Sequence, residues 1–368
     1  MTAETKTVER SVALIQTPPD SPYPPSPAIT LEWVGPETRR EDLDGDDWPV
    51  TWAADDHQYT AYGDGWGARP IVKETKANTG IVRLIGPASD FRGEEVTIPW
   101  FGRGPENPNF KGCGLLASDG VLYHFLRYQG DVNPATGKRP QIASKLIWSR
   151  DYGQTWENAT EYVPGERPVG LFFGAPDNAF HSPTFLQAGK DYRQAQDSYV
   201  YVYSPHENRR RANGSLDLAR VPVGDVVEGG AYEYFAGLEG SGGARWTRDI
   251  AQRRPVFAYA AHVNAGDVIY NPALRRYLLV TCSGDFAPGE REEIPSKLAF
   301  FDAPQPWGPW TLAGYAGQWG SGQGGDLRYD PRVPAKWLSE DGFTAELLFS
   351  NRTQSDKLNH QTVRFRLV

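Results

Sequence analysis

The sequence predicts an all-β fold, a five-bladed β-propeller that is closed by an N-terminal strand in the last blade. Three observations support this prediction. Helical periodicity is scarce, glycine (39) and proline (30) are abundant among the 368 residues, and a pair of short apolar runs joined by a turn recurs five times. Four-stranded units that repeat at a regular spacing are typical of a β-propeller.

The five strand pairs start about 65 to 85 residues apart, at Val50, Gly114, Ser182, Asp267 and Pro334. Third strands are predicted to begin at Gly80, Ser144, Ser215, Ser296 and His360, and fourth strands at Glu94, Trp156, Ala231 and Trp310. The last unit therefore has one strand fewer than the others. We expect residues 29–35 to supply it as an outer strand, because this pairing would close the ring and leave no open edge.

We expect residues 1–28 to form a flexible N-terminal extension and residues 29–368 to form a single β-propeller catalytic domain. The extension has no apolar run of signal-peptide length, so the chain as written is expected in the cytoplasm, unless a leader was removed from a secreted protein. Cys113 and Cys282 are too few for a disulfide framework, and we predict that both are buried thiols.

Composition excludes several classes of protein. The chain carries 38 basic and 46 acidic side chains, a formal charge of −8, and an acidic surface does not favour a nucleic-acid partner. No apolar run reaches about 18 residues, so no membrane partner is predicted. No glycine-rich phosphate loop precedes a helix. The pattern requires no cofactor, and it leaves a structural calcium ion near the axis and the oligomeric state as open questions.

An eight-residue motif lies between the predicted third and fourth strands of the second unit. Residues 149–156 match S-x-D-x-G-x-T-W at every fixed position, the pattern of the Asp-box in sialidase-like propellers. We expect Asp151 to accept hydrogen bonds from turn amides, Gly153 to adopt a positive φ, and Trp156 to pack between sheets. The motif is therefore predicted to stabilise the fold and not to catalyse.

Three stretches carry a resemblance to a known family: WPVTWAADDHQYTAYGDGWG from Trp48, SPTFLQAGKDYRQAQDSYVYVY from Ser182, and FDAPQPWGPWTLAGY from Phe301. They resemble bacterial and fungal proteins grouped as a domain of unknown function. That family is related to five-bladed glycoside hydrolases, and some distant members are endo-D-arabinanases. The resemblance covers nearly the whole chain and implies a carbohydrate-active propeller. In the arabinanases two aspartates do the chemistry, and Asp46 and Asp64 match their placement here.

Propeller geometry indicates which residues can lie at a ligand site. The loops that precede the first strand of each blade and follow its second strand lie together on one face, and this face binds the ligand. Asp64 is the predicted general acid, since partial burial after the run TAYG would raise its pKa, and Asp46 is the predicted base or nucleophile. The residues predicted to bind substrate on the same rim are Asp47, Trp48, Trp66, Arg127, His206, Asn264, Tyr329 and Arg332. The aromatic members are expected to stack on sugar faces.

Histidines on this rim depart from the two-carboxylate pattern and leave a second chemistry open, the eliminative cleavage of uronic-acid polymers. His181 or His262 would be the catalytic base and Tyr329 the acid, with a neutralising arginine drawn from Arg127, Arg209 and Arg332. A metal site built from the rim histidines with Asp267 lacks any short ligand spacing. The third alternative, from a non-enzyme class, is a glycan-binding propeller without catalysis.

Overall fold

The computed structural model describes residues 11–18, 20–71, 75–96, 110–135, 139–159, 168–206, 214–240, 242–263, 266–283, 296–321, 326–352 and 356–368. Over these residues the secondary structure consists of β-strands and short 3-10 helices. The strands are β1 (Ser11–Ala13), β2 (Ile29–Asp46), β3 (Val50–Trp52), β4 (Gln58–Ala68), β5 (Gly80–Ile85), β6 (Arg92–Val96), β7 (Phe110–Ser118), β8 (Val121–Gln129), β9 (Gln141–Ser149), β10 (Leu171–Phe173), β11 (Thr184–Phe185), β12 (Tyr199–Pro205), β13 (Ser215–Pro222), β14 (Glu233–Leu238), β15 (Ala244–Thr247), β16 (Phe257–Ala258), β17 (Gly266–Asn271), β18 (Arg276–Cys282), β19 (Ser296–Ala303), β20 (Thr311–Gly320), β21 (Arg328–Arg332), β22 (Thr344–Asn351) and β23 (Lys357–Leu367). The 3-10 helices are Lys190–Tyr192, Val223–Asp225, Gly229–Ala231, Ile250–Gln252 and Ala335–Trp337.

The described strands form four sheets of nine, four, six and four strands, and most of them can be grouped in chain order into five antiparallel units, two of which belong to the nine-stranded sheet. We call them unit one (β3–β6), unit two (β7–β10), unit three (β11–β15), unit four (β17–β20) and unit five (β21–β23). Their hairpins form where turn residues were predicted. In unit two, for example, Ser118 faces Val121 across Asp119 and Gly120, which have φ values of 50° and 75°. Positive φ at both central residues is the signature of a tight two-residue hairpin turn.

The N-terminal strand β2 joins units five and one in a single nine-stranded sheet. As predicted for residues 29–35, it pairs with the last strand of the chain, with Ile29 opposite Leu367 and Val34 opposite Thr362. β2 then continues to Asp46 and pairs with β4, with Leu43 opposite Ala68. One long strand therefore carries the chain from the outer side of unit five into unit one.

Apolar side chains fill the spaces between neighbouring sheets. Ala61 and Ile81 of unit one pack with Leu115 and Ala117 of unit two, and Phe125 stacks on Phe185 with ring centroids 4.8 Å apart. A strand with sheets on both sides is buried along its whole length, which explains the nearly continuous apolar run of β8. Both cysteines are buried, as predicted. In the described part of the chain, no helix is long and apolar enough to span a membrane.

The described part of residues 1–28 differs from the flexible extension that we expected. β1 pairs with β2, Leu14 N donates to Leu31 O at 2.9 Å, and Tyr23 stacks on Phe257 with ring centroids 4.8 Å apart. Backbone hydrogen bonds to β2 and a ring stack on β16 therefore hold the described part of this segment against the rest of the fold, and the stacking partner lies far along the chain, where local composition does not report it.

The turn at residues 149–156 has the predicted local structure. Thr155 N donates to Asp151 Oδ1 at 2.8 Å, Gly153 has a φ of +92°, and Trp156 packs against the apolar cluster between units one and two. Of the strand predicted from Trp156, residues 156–159 are described and contribute an isolated bridge between Glu157 and Trp148, and the remainder lies outside the described residues. The strand that pairs with β9 at the edge of unit two is β10.

Candidate active site

The candidate active site lies where strands of units one, two and five meet near Asp46, the last residue of β2. Asp46 lies opposite Gly63 of β4. A Cβ atom at Gly63 would come within 2.8 Å of Asp46 Oδ1 and 3.5 Å of Asp47 Oδ2. The absence of a side chain at Gly63 therefore makes room for two neighbouring carboxyl groups.

Four residues near this point hold a left-handed backbone conformation although none is glycine. The φ values are 75° at Asp47, 45° at Trp48, 48° at Asp64 and 52° at Asp330. Such conformations cost about 1–3 kcal/mol each and are concentrated at active sites and ligand clamps. Packing around these four residues therefore stabilises the left-handed backbone conformation. Their side chains point in directions that regular β-strand geometry would not produce.

The carboxyl group of Asp46 is poorly solvated. Its Oδ1 is buried and has no hydrogen-bond partner among the described residues. Oδ2 lies 3.5 Å from the hydroxyl oxygen of Tyr329. Burial raises the pKa of Asp46 well above its ordinary value, and nearby charges modify the effect. Negative charges that raise it further belong to Asp47, Asp64 and Asp356, and the positive charge that lowers it belongs to Lys111.

Asp64 has a different environment from Asp46. Its side chain is 30% exposed and forms an ion pair with Lys111, which is itself 13% exposed. The ammonium group stabilises a negative charge on Asp64, whereas Asp46 is the carboxyl group that burial favours in its neutral form. The sequence predicts Asp64 as the general acid, whereas in the structure Asp46 is the carboxyl group with a raised pKa and Asp64 is the one paired with a lysine.

Asp47 belongs to a buried ion network that links four units. Arg127 of unit two donates to Asp47 Oδ2 at 2.7 Å and to Oδ1 at 3.2 Å. Arg332 of unit five donates from Nε to the Asp47 carbonyl oxygen at 3.2 Å, and its Nη1 lies 3.8 Å from Asp267 of unit four. Asp47, Arg127 and Arg332 are all buried, and in this structure their contacts join the units.

Tyr329 connects Asp46 to unit five. Its hydroxyl donates to Asp356 Oδ1 at 2.5 Å, and Arg352 donates to the same carboxylate from Nε at 2.8 Å and from Nη2 at 3.2 Å. Tyr329 itself is buried, and burial together with the charges of Asp46 and Asp356 raises its pKa well above the ordinary value. The ring therefore does not offer the stacking surface that we predicted, and its hydroxyl is engaged by a carboxylate.

The two predicted tryptophans differ in exposure. Trp48 is completely buried, packs against Tyr62 at a centroid distance of 5.7 Å, and donates from Nε1 to Gly45 O. It is a core residue, so the prediction that it stacks on sugars is wrong. Trp66 is partly exposed, and its backbone amide donates to Asp44 Oδ1 at 2.9 Å. It remains the aromatic candidate for contact with substrate beside Asp64.

The rim histidines have separate partners. His206 bonds through Nδ1 to Asp217 at 2.7 Å, and His262 stacks on Tyr259 at a centroid distance of 3.7 Å. His181 is buried, with Nδ1 3.1 Å from Asn178 O. Asn264 and Arg209 lie outside the described residues. Within the described ranges, no group of three or more His, Cys, Asp or Glu side chains could hold a metal ion.

The structure adds two residues that the sequence reasoning missed. Lys111 stands at the start of the first strand of unit two, and Asp356 lies between the second and third strands of unit five. Both positions are of the kind expected at the ligand face. Lys111 lies where a first strand begins, and Asp356 follows a second strand. The rule that loops of these two kinds meet at the ligand face therefore identifies both residues, Lys111 at the entry to unit two and Asp356 at the exit from the second strand of unit five.

Comparison with protein families places the chain in one of them. The profile of a domain of unknown function, DUF4185, matches residues 135–321, just over half of the chain, and the chain belongs to this family. Asp46, Asp64 and Lys111 precede the matched segment. No curated protein matches the sequence.

Several solved structures are similar to the chain at low sequence identity. A Bacteroides ovatus protein provisionally assigned as a hydrolase is 12% identical, with a TM-score of 0.52 over 88% of this chain and 87% of that chain. A Dyadobacter fermentans protein of unknown function is 11% identical, with a TM-score of 0.49 over 89% and 96%. A GH43_1 enzyme from Xanthomonas citri is 13% identical, with a TM-score of 0.45 over 90% and 89%. At this identity the first likeness concerns the fold alone.

Proposed function

We propose that this chain is a glycoside hydrolase that cleaves a glycosidic bond in a poly- or oligosaccharide, with Asp46 as the general acid and Asp64 as the second carboxylate. One observation carries the proposal. Two neighbouring carboxyl groups have opposite environments, since Asp46 is desolvated among negative charges and Asp64 is paired with Lys111. A pair of carboxyl groups whose environments separate their protonation states is the arrangement that glycoside hydrolysis needs.

Each carboxyl group has a defined part in the reaction. Asp46 gives its proton to the glycosidic oxygen as the bond to the anomeric carbon breaks. Asp64 either takes a proton from the attacking water, which inverts the anomeric centre, or attacks the anomeric carbon itself, which retains it after hydrolysis of the intermediate. In both cases the charge of Lys111 stabilises ionised Asp64 in the resting enzyme.

We infer that the five units form a single catalytic domain, a five-bladed ring. The first strands support this arrangement because β3 contacts β7, β7 contacts β11, β11 contacts β17, and β17 contacts β21. Arg332 of β21 then reaches the backbone of Asp47, just before β3. The candidate site lies at this last junction. The resemblance to endo-D-arabinanases makes arabinan-like furanosides the first substrates to test.

The lyase alternative is weaker because two of its three candidate neutralising arginines, Arg127 and Arg332, already have acidic partners. Arg127 and Arg332 face Asp47 and Asp267, and the hydroxyl of Tyr329 donates to Asp356. A lyase would yield an unsaturated uronic acid that absorbs ultraviolet light. A glycan-binding propeller would show affinity without turnover.

A panel of polysaccharides, including arabinans and uronic-acid polymers, tests the proposal with reducing-end and absorbance readouts. We expect new reducing ends from the wild type and a loss of about 10²–10⁴-fold in rate for Asp46→Asn and for Asp64→Asn. Asp119→Asn is the matched control, since Asp119 has a φ of 50°, close to that of Asp64, at an exposed hairpin turn. Full activity in folded Asp46→Asn would contradict the proposal.

A further inference from the structure

The Tyr329 hydroxyl lies between two carboxyl groups. It is 2.5 Å from Asp356 Oδ1 and 3.5 Å from Asp46 Oδ2. A phenol has one proton, and the shorter bond assigns that proton to Asp356. The side of the Tyr329 oxygen that faces Asp46 therefore presents lone pairs. A protonated Asp46 can point its O–H toward these lone pairs, whereas an ionised Asp46 would face them with a second acceptor.

Asp356 is held in place by two sets of contacts. Arg352 binds both of its carboxylate oxygens, at 2.8 and 3.2 Å. The carbonyl oxygen of Asp356 also accepts a hydrogen bond from the backbone N–H of Gly45 at 3.1 Å, one residue before Asp46. Asp356 thus reaches Asp46 along two routes, through the backbone of β2 and through the hydroxyl of Tyr329.

The charged groups around Asp46 come from every element packed against it. Asp47 and Asp64 of unit one and Asp356 of unit five favour the neutral form of Asp46, and Lys111 of unit two opposes them. Arg352 opposes Asp356, because it binds both oxygens of that carboxylate, donates to the Tyr329 oxygen at 3.5 Å, and its positive charge also interacts with Asp46. Asp47 is neutralised by Arg127 and Asp64 by Lys111.

We propose that Asp356 and Tyr329 form a positioning unit for Asp46, which favours the protonated form of its carboxyl group and fixes that group at the end of β2. The inference rests on the proposed function, since it concerns the general acid of that reaction. Asp356 and Tyr329 act through Asp46 and are positioning residues. This positioning role explains why Asp356, Tyr329 and Arg352 of unit five lie beside the end of β2.

The pH dependence of kcat/KM tests this proposal. An acid catalyst works only while protonated, so the rate falls as the pH rises through the pKa of Asp46. Asp356→Asn removes a negative charge, lowers the pKa of Asp46, and should move this fall to lower pH by about 0.5–1 unit. Asp356→Glu should restore the wild-type profile in large part. Asp119→Asn removes a distant charge and should leave the profile unchanged.

A direct titration separates this inference from the proposed function. Carbon-13 NMR of labelled aspartate carboxyl groups, with the Asp46 signal assigned from Asp46→Asn, reports the protonation of Asp46 without any substrate. A lower midpoint in Asp356→Asn and in Tyr329→Phe supports the positioning unit. An unchanged midpoint and an unchanged rate profile in folded Asp356→Asn overturn it, even if the wild type hydrolyses glycans. A wild type that cleaves no glycan would instead contradict the proposed function.

Discussion

Arg127 and Asp47 form a two-point ion pair across the boundary between units two and one, with N–O distances of 2.7 and 3.2 Å. Both side chains are buried, and the carbonyl oxygen of Asp47 also accepts a hydrogen bond from Arg332 of unit five. Residues far apart in sequence therefore converge on one aspartate, next to the proposed general acid. The pair is positioned to control both the stability of the fold and the geometry of the site.

Arg127→Met is expected to destabilise the fold by about 3–5 kcal/mol, because it leaves Asp47 as a buried charge without its guanidinium partner. Urea unfolding followed by tryptophan fluorescence measures the loss. Arg150→Met is the matched control, since the pair between Arg150 and Glu157 is largely exposed and should contribute about 0–1 kcal/mol. Equal losses in the two variants would show that the buried pair does not stabilise the fold.

Lys111→Met is expected to act in the opposite direction to Asp356→Asn. The charge of Lys111 lowers the pKa of Asp46, so its removal should raise that pKa. The high-pH fall in kcat/KM would then move to higher pH, by roughly 0.5–1 unit. Lys190→Met, which removes a lysine paired with Asp56 at an exposed site, should leave the profile unchanged. A shift to lower pH would contradict the proposed electrostatics.

We expect the folded protein to lose stability in acid because of the buried His124. The ring is buried, with Nδ1 2.9 Å from Gly114 O and Nε2 3.4 Å from Thr79 Oγ1, and burial lowers the pKa of His124 to about 4. In the unfolded chain the same group takes a proton near pH 6.5. The contribution of neutral His124 to the free energy of unfolding is therefore complete above about pH 6.5. It is lost as the pH falls toward 4, and the loss amounts to about 3 kcal/mol.

Urea unfolding at several pH values checks the prediction for His124. His124→Gln keeps a neutral polar side chain in both states and should remove most of the slope between pH 6.5 and 4. His57→Gln, at the hairpin turn of unit one, serves as the control. If the wild type and His124→Gln lose stability in parallel, the buried ring does not cause the acid sensitivity.

Much of the strand pattern follows from local sequence. The hairpin between β7 and β8 could be predicted from two apolar runs around Asp119 and Gly120, because a tight turn depends only on the residues within it. The Asp151 turn could be predicted for the same reason. The pairing of residues 29–35 with the last strand was predicted from counting strands. The position of the fourth strand of unit two was not predicted correctly, because β10 lies well beyond the apolar residues that follow Trp156.

The sequence by itself determined the β-strand pattern, the N-terminal strand of unit five and the two aspartates that resemble a catalytic pair. Only the tertiary structure decided which of them is desolvated, that Trp48 lies in the core, and that Lys111 and Asp356 stand beside the pair. The physical reason is the range of the forces involved. Turns and strand alternation depend on neighbouring residues, whereas burial and charge at Asp46 depend on side chains brought together from three separate units.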